Sequence, residues 1–225
     1  MVWDWIPRNS DLILGLLGEH LWLSLIPVLV GLVLAVPLGW LANRNAAARA
    51  VLIPSAGVLY TIPSLALFIV LPGLLGTQIL DPLNVVVALT VYTVALLVRS
   101  IADALAAVPR MVVAAATAMG FRPARRFVEV ELPLSVPVLI AGLRVATVSN
   151  ISLVSVGALI GVGGLGELFT DGYQRDFPTE ILTGIVLTVV LALLADATLL
   201  GIGRLVTPWE RSDRGAKRAG ARAGR

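Results

Sequence analysis

Residues 114–133 read AAATAMGFRPARRFVEVELP, a short, partly polar and basic insert between two long apolar runs. Ala114, Ala115, Ala116, Ala118 and Met119 favour helix, and Gly120 can end that helix by taking a left-handed backbone conformation. Phe121 then follows as an exposed aromatic, with Arg122, Pro123, Arg125 and Arg126 behind it, and Val130, Leu132 and Pro133 start the return to apolar sequence. Small residues let a partner backbone come close, the aromatic supplies an anchor, and the arginines can pair with an acidic surface. These are the ingredients of a helix-in-groove contact. The same residues would also serve as an amphipathic connector lying on lipid headgroups, and on their own they leave both readings open.

The surroundings of this insert are built for lipid. Hydrophobic residues make up 58% of the 225 and charged ones 14%, with a mean hydropathy of +0.93. A soluble domain has about 45–50% apolar and about 25% charged residues. There are no cysteines, which excludes disulfides, Cys-ligated zinc and thiol catalysis. Five apolar runs approach the roughly 20 residues a spanning helix needs: 21–41, 52–71, 82–98, 136–159 and 181–205. The stretch 13–17 is too short to span and reads as an interfacial helix or a lead-in to the first run. Backbone groups in lipid must be satisfied internally, so helices are expected; none of the runs shows the alternation of a membrane barrel. The opening MVWDWIPRNSD lacks the basic region and cleavage site of a signal peptide, so the first helix is expected to stay.

Charge placement gives the expected orientation. Arg44 and Arg49 lie between runs one and two; Arg99, Arg110, Arg122, Arg125 and Arg126 between three and four; Arg204, Arg211, Arg214, Lys217, Arg218, Arg222 and Arg225 close the chain. The opposite segments hold only Arg8 and Arg175, with Asp4, Asp11, Glu19, Asp81, Glu167, Asp171, Asp176 and Glu180. By the positive-inside rule the N-terminus is outside, the C-terminus inside, and the 114–133 insert cytoplasmic. The basic balance therefore reports topology and not a nucleic-acid partner. Trp3, Trp5, Trp22, Trp40 and Trp209 fall near the expected interfaces, as in an aromatic belt.

With the insert placed in the cytoplasm, a resemblance becomes visible. Permease subunits of binding-protein-dependent ABC importers carry Glu-Ala-Ala, three residues, Gly, nine residues, then Ile-x-Leu-Pro in their cytoplasmic loop. Here Ala114-Ala115-Ala116, Gly120 and Val130-Glu131-Leu132-Pro133 stand at the same spacing. Ala114 replaces the glutamate, removing a carboxylate that helps orient the loop, and Val130 replaces isoleucine conservatively. Tyr60-Thr61-Ile62-Pro63-Ser64-Leu65-Ala66-Leu67 and the stretch Gly163-Gly164-Leu165-Gly166-Glu167-Leu168, with Asp171-Gly172 and Gln174-Arg175, resemble segments of the osmoprotectant subfamily (glycine betaine, carnitine, choline). Ala141-Gly142-Leu143-Arg144 also fits. The resemblance implies an all-α polytopic membrane protein, a five-helix type I ABC importer permease. It would work beside a second permease, identical or related, with two cytoplasmic ATPase subunits and an external solute-binding protein in the bacterial cytoplasmic membrane.

Individual residues carry further expectations. Pro63 removes one backbone hydrogen bond and frees a carbonyl, so with Thr61 and Ser64 the second helix is expected to bend and show polar atoms to a path; Tyr60 joins them through the resemblance. Proline is also tolerated in membrane helices for packing alone. Asn150, with Ser149 and Ser152, either lines the path or hydrogen-bonds a neighbouring helix. Arg144 and Asp196 are costly in a bilayer; their mutual pairing is the structural explanation, a proton or cation role for Asp196 the functional one. The external segment around Glu167, Asp171, Arg175 and Asp176 is the expected dock for the binding protein.

Catalytic chemistry finds no support. Gly161-Val162-Gly163-Gly164-Leu165-Gly166 matches a dinucleotide fingerprint only formally, without the strand, helix and acidic partner it needs, and reads as a flexible external turn. The sole lysine, Lys217, lies in the tail, so no phosphate-binding loop exists, and ATP with magnesium belongs on the partner ATPase. The one histidine, His20, sits beside Glu19 and reads as an interfacial residue; no metal cluster is expected. Residues 1–20 are expected as an external segment, 21–210 as the permease domain with its coupling loop at about 108–133, and 211–225 as a basic cytoplasmic tail. Two rivals stand: the same fold carrying another polar solute such as methionine or another amino acid, and a stand-alone channel or ion-driven carrier.

Overall fold

The computed structural model describes residues 1–209, and over them the chain is helical, with no strand. The basic tail from 211 lies outside the described residues. A short helix α1 (Trp5–Arg8) leads into α2 (Ser10–Arg44), an uninterrupted helix of 35 residues. At 1.5 Å per residue α2 is roughly 50 Å long. It absorbs the 13–17 stretch, which is a lead-in and not a separate interfacial helix, and the boundary expected at residue 21 falls within it. Pro27 and Pro37 sit inside α2 without ending it.

The second apolar run departs from a single bent helix. It forms α3 (Ala46–Thr61) and α4 (Ser64–Leu75), which meet at 103°. Asn45 caps α3, its Oδ1 accepting from Ala47 N–H at 2.9 Å and Ala48 N–H at 3.3 Å. At the break, Ile62 is extended (φ −66°, ψ 129°), as the steric clash of the Pro63 ring with the preceding residue favours, and Pro63 continues it (φ −60°, ψ 132°). The Ile62 carbonyl, lost to the helix ladder, accepts from the Tyr92 hydroxyl. A freed carbonyl without such a donor would be costly in an apolar setting.

The third run is longer than expected: α5 (Pro82–Ala106) starts on Asp81, whose carboxylate caps Leu83 N–H at 2.9 Å, and it carries Arg99 inside it. Helix α6 (Arg110–Ala118) and the turn α7 (Pro123–Arg126) form the insert. A π-helical turn, Phe127–Glu131, feeds α8 (Leu132–Gly157). After a 3-10 turn (Ala158–Ile160) and a glycine-rich loop come α9 (Glu167–Gln174) and α10 (Pro178–Val206). Four helices are long and apolar enough to cross a membrane, or five if the bent pair α3–α4 is one span.

Helix α5 is the axis of the bundle, packed by α2, α3, α4 and α8. Between helices in lipid there is no hydrophobic driving force, so close backbone approach, van der Waals fit and interhelical hydrogen bonds hold them. Gly39 supplies that approach: a methyl there would stand 2.5 Å from Ile101 Cγ2 on α5. Phe68, Leu71, Val85, Leu89, Tyr92 and Val154 fill the end of the core nearest the glycine-rich loop; Ala35, Leu97, Val98, Ile101, Leu105 and Ala146 fill the end nearest the insert. A third cluster of Leu16, Ile151, Leu165, Leu168 and Leu191 seats α9 and α10.

Candidate coupling loop and translocation path

The insert folds as its glycine dictates. Gly120 has φ +82°. Its N–H donates to Thr117 O at 3.0 Å and Phe121 N–H donates to Ala116 O at 3.1 Å. This paired closure satisfies the last carbonyls of α6 and needs a left-handed residue at that position. Ala116 is buried against the bundle, whereas Ala114, Ala115, Met119 and Gly120 face outward, as do Arg122, Pro123 and Arg125. Phe121 is half-buried, not fully exposed, because the Arg125 guanidinium stacks on its ring at 5.0 Å. Arg126 locks the loop shut: its Nε donates to Glu131 Oε1 and an Nη to Thr117 Oγ1, both at 2.6 Å. Glu131 and Thr117 are thus supports of the loop that the sequence does not single out; the acidic residue inside the Val-Glu-Leu-Pro signature is their only sign. Ala114, at the usual glutamate position, borders a 370 Å³ hollow shared with Asn43, Leu105, Val108 and Arg110.

At the α3–α4 break the expected path residues come together. Tyr60, Thr61 and Pro63 are exposed and Ser64 is half-buried. Thr61 Oγ1 donates back to Val58 O at 2.7 Å, and Tyr60 sets its ring at 5.8 Å and 88° to that of Tyr92. Asn150 is elsewhere. It is buried, and its amide donates to Thr93 Oγ1 on α5 at 2.9 Å and, at 3.5 Å, to Ser24 O on α2. Of the two readings of Asn150, this geometry is the hydrogen bond to neighbouring helices. Arg144 and Asp196 do meet, as a two-pronged pair with both N···O distances 2.7 Å, joining α8 to α10.

The glycine-rich loop is anchored by His20. That side chain is fully buried, which corrects its reading as an interfacial residue. Leu165 N–H donates to His20 Nδ1 at 3.1 Å, so the ring proton is on Nε2, which donates to Ile151 O at 2.9 Å. The imidazole is neutral and bridges loop and α8. The loop is therefore pinned, not free, and Gly163 leaves the room that the Glu19 carboxylate occupies. Replacing His20 by Ala is expected to leave the Leu165 N–H without its acceptor and lower stability by about 1–3 kcal/mol. Thermal unfolding of the purified membrane complex measures it, with unaltered unfolding refuting the anchor.

Beyond the loop, Asp171, Tyr173, Arg175 and Asp176 are exposed, while Glu167 is half-buried. Burial, with the nearby Glu19 and Asp171 carboxylates adding to it, pushes Glu167 above the usual carboxylate range. Arg175 is held by buried Glu180 at 2.6 and 2.8 Å and reaches Asp171 at 3.6 Å. Among the described residues no group of His, Asp and Glu is placed to hold a metal.

A bundle of apolar helices, interrupted at mid-course by an exposed polar break and carrying a clamped basic loop at one end, is a transport subunit of the membrane. The chain belongs to the family of binding-protein-dependent transport system inner membrane components, whose model matches residues 23–211. It is 33% identical over 205 residues to the choline transport system permease protein OpuBB of Bacillus subtilis, covering 91% of this chain and 93% of that one. It is 31% identical over 203 residues to the glycine betaine/carnitine/choline transport system permease protein OpuCB of the same organism, covering 90% and 92%. In structure it is similar to a chain of the MetNI methionine ABC transporter in an inward-facing conformation, with TM-score 0.78, 25% identity and coverage of 84% of this chain and 94% of that one. The fold is that of a type I ABC importer permease, the chain is a transport subunit and not an enzyme, and it resides in the bacterial cytoplasmic membrane. ATP hydrolysis belongs to a separate subunit.

Proposed function

We propose that this chain is the permease of an importer for compatible solutes: glycine betaine, carnitine, choline or similar quaternary ammonium compounds. The observation that carries the reading is full-length similarity to permeases named for those solutes. In this reading α2, the α3–α4 pair, α5, α8 and α10 make five crossings within a permease domain of about residues 21–210. The N-terminus lies outside and the C-terminus inside, in keeping with the positive-inside count. Two such permeases, identical or related, stand over two ATPases that bind ATP and magnesium, and an external binding protein docks around Glu167, Asp171, Arg175 and Asp176. ATP closes the ATPases, which push on Gly120 and its neighbours; the helices re-tilt, and Tyr60, Thr61, Pro63 and Ser64 border the path. Asn150 would reach that path only after α8 parts from α5.

The test is uptake of radiolabelled betaine, carnitine, choline and methionine by cells lacking other such systems, with and without this chain and its partners. Chain-dependent uptake of a quaternary ammonium solute is expected. Uptake of methionine alone would move the chain to amino-acid transport, and uptake of none of the four by an assembled complex would discard the solute assignment while keeping the fold.

A further inference from the structure

Between α3 and α5 lies a hollow of 280 Å³, lined by Ala56, Gly57, Tyr60, Ala95, Arg99 and Ser100 among others. It falls just below the usual range of ligand pockets, about 300–1,000 Å³. Arg99 is the only charged residue in its lining. It stands seven residues, roughly 10 Å, inside the end of α5. Among the described residues it has no ion-pair or hydrogen-bond partner, unlike Arg144, which holds Asp196. The nearest carboxylate along α5, Asp103, is taken by Arg49 at 3.0 Å. Ser100 is committed too, its hydroxyl donating to Leu96 O at 3.2 Å.

A guanidinium left without a partner inside a spanning helix turns away from the lipid tails, toward protein, a wet cavity or the headgroups. Here Arg99, exposed in the isolated chain, borders a cavity that an aromatic ring also borders. Tyr60 lines that cavity, and its ring packs edge-to-face with that of Tyr92. The remaining walls are small or apolar, which leaves two chemically distinct groups in the lining. An aromatic face attracts a quaternary ammonium, and a guanidinium matches a carboxylate with paired charge-assisted hydrogen bonds.

We infer that Tyr60 and Arg99 form an inner subsite of the path for a zwitterionic quaternary ammonium solute, the ring facing its ammonium and the guanidinium its carboxylate. The inference rests on the osmolyte reading above and sharpens it: Arg99 sets a preference for carboxylate-bearing solutes over those ending in a hydroxyl. Tyr60 contributes to both kinds, since both carry the ammonium.

The assembled transporter, with its ATPase and binding protein, tests this by comparing glycine betaine with choline, which lacks the carboxylate. Arg99→Gln is expected to lower betaine uptake about tenfold, as loss of a charge-assisted contact to a carboxylate does, while choline uptake stays within about twofold. Arg99→Lys, which keeps the charge but not the paired donors, should recover part of the betaine uptake. Equal loss of both solutes would make Arg99 a structural or headgroup-binding residue, and no loss of either would remove it from the path; both outcomes overturn the subsite. Wild-type uptake of choline alone also overturns it. Wild-type uptake of neither solute overturns the osmolyte reading itself, and is told apart because it appears before any substitution is made.

Discussion

Replacing Gly120 by Asp is expected to reduce solute uptake on the order of tenfold or more while the permease still reaches the membrane. Crowding at the backbone is not the reason, since a Cβ at Gly120 would meet nothing within 4 Å. Two other effects act together. The φ of +82° is one that side-chain-bearing residues adopt only with strain, about 1–2 kcal/mol. The added carboxylate also stands at the C-terminal end of α6, where a negative charge is disfavoured, and beside Arg122 and Arg125, whose outward charge the proposed partner surface would meet. Loss of about 2 kcal/mol at an interface hot spot corresponds to more than tenfold in binding. Gly120→Ala separates the two effects: it carries the strain without the charge and is expected to keep a substantial part of the uptake. Co-purification of the ATPase subunit should fall with Gly120→Asp in parallel with uptake. Unchanged uptake in that variant would make the loop a connector and return the stand-alone carrier to consideration.

The loop is legible in the sequence because its defining step is local. A helix of alanines, a glycine and an aromatic, in that order, signals a glycine-capped helix end, and the hydrogen bonds of Gly120 and Phe121 make it. The break at Pro63 is different. Pro27, Pro37, Pro54, Pro72 and Pro137 all sit within helices, so proline by itself predicts no interruption. What distinguishes Pro63 is the Tyr92 hydroxyl, 30 residues from Ile62, which satisfies the freed Ile62 carbonyl by donating to it. The extent of the bend therefore depends on a tertiary contact that no window of sequence contains. His20 escapes sequence reading for the same reason. Its neighbour Glu19 and its place near one end of an apolar run suggest water, but Leu165, 145 positions away, folds over it and uses its ring as an acceptor. At Arg99 the apolar patterning fades and suggests a loop, whereas α5 continues to Ala106.

Breaking the Arg144–Asp196 pair from one side only is expected to be more damaging than removing both charges. The two side chains are about a third exposed in the isolated chain, at 32% and 30%. They join α8 to α10 within their spanning segments, where a lone charge must find a partner, water or a headgroup. Asp196→Ala leaves the Arg144 guanidinium alone, and Arg144→Ala leaves the Asp196 carboxylate alone; in each case the amount of folded permease in the membrane should fall severalfold. The double replacement Arg144→Met with Asp196→Leu removes both charges and keeps apolar volume, the kind of exchange that is often neutral or stabilising. It is expected to restore both membrane level and uptake. The pair would then be a structural tie between two helices, in line with its two-pronged geometry. A double variant that reaches the membrane at the wild-type level, keeps its ATPase bound and yet transports nothing would point the other way. It would assign Asp196 to ion or proton movement, because the packing role would be intact while the charge alone was missing. The geometry favours the structural tie, since a carboxylate held by two hydrogen bonds of 2.7 Å is poorly placed to bind and release a proton in each cycle.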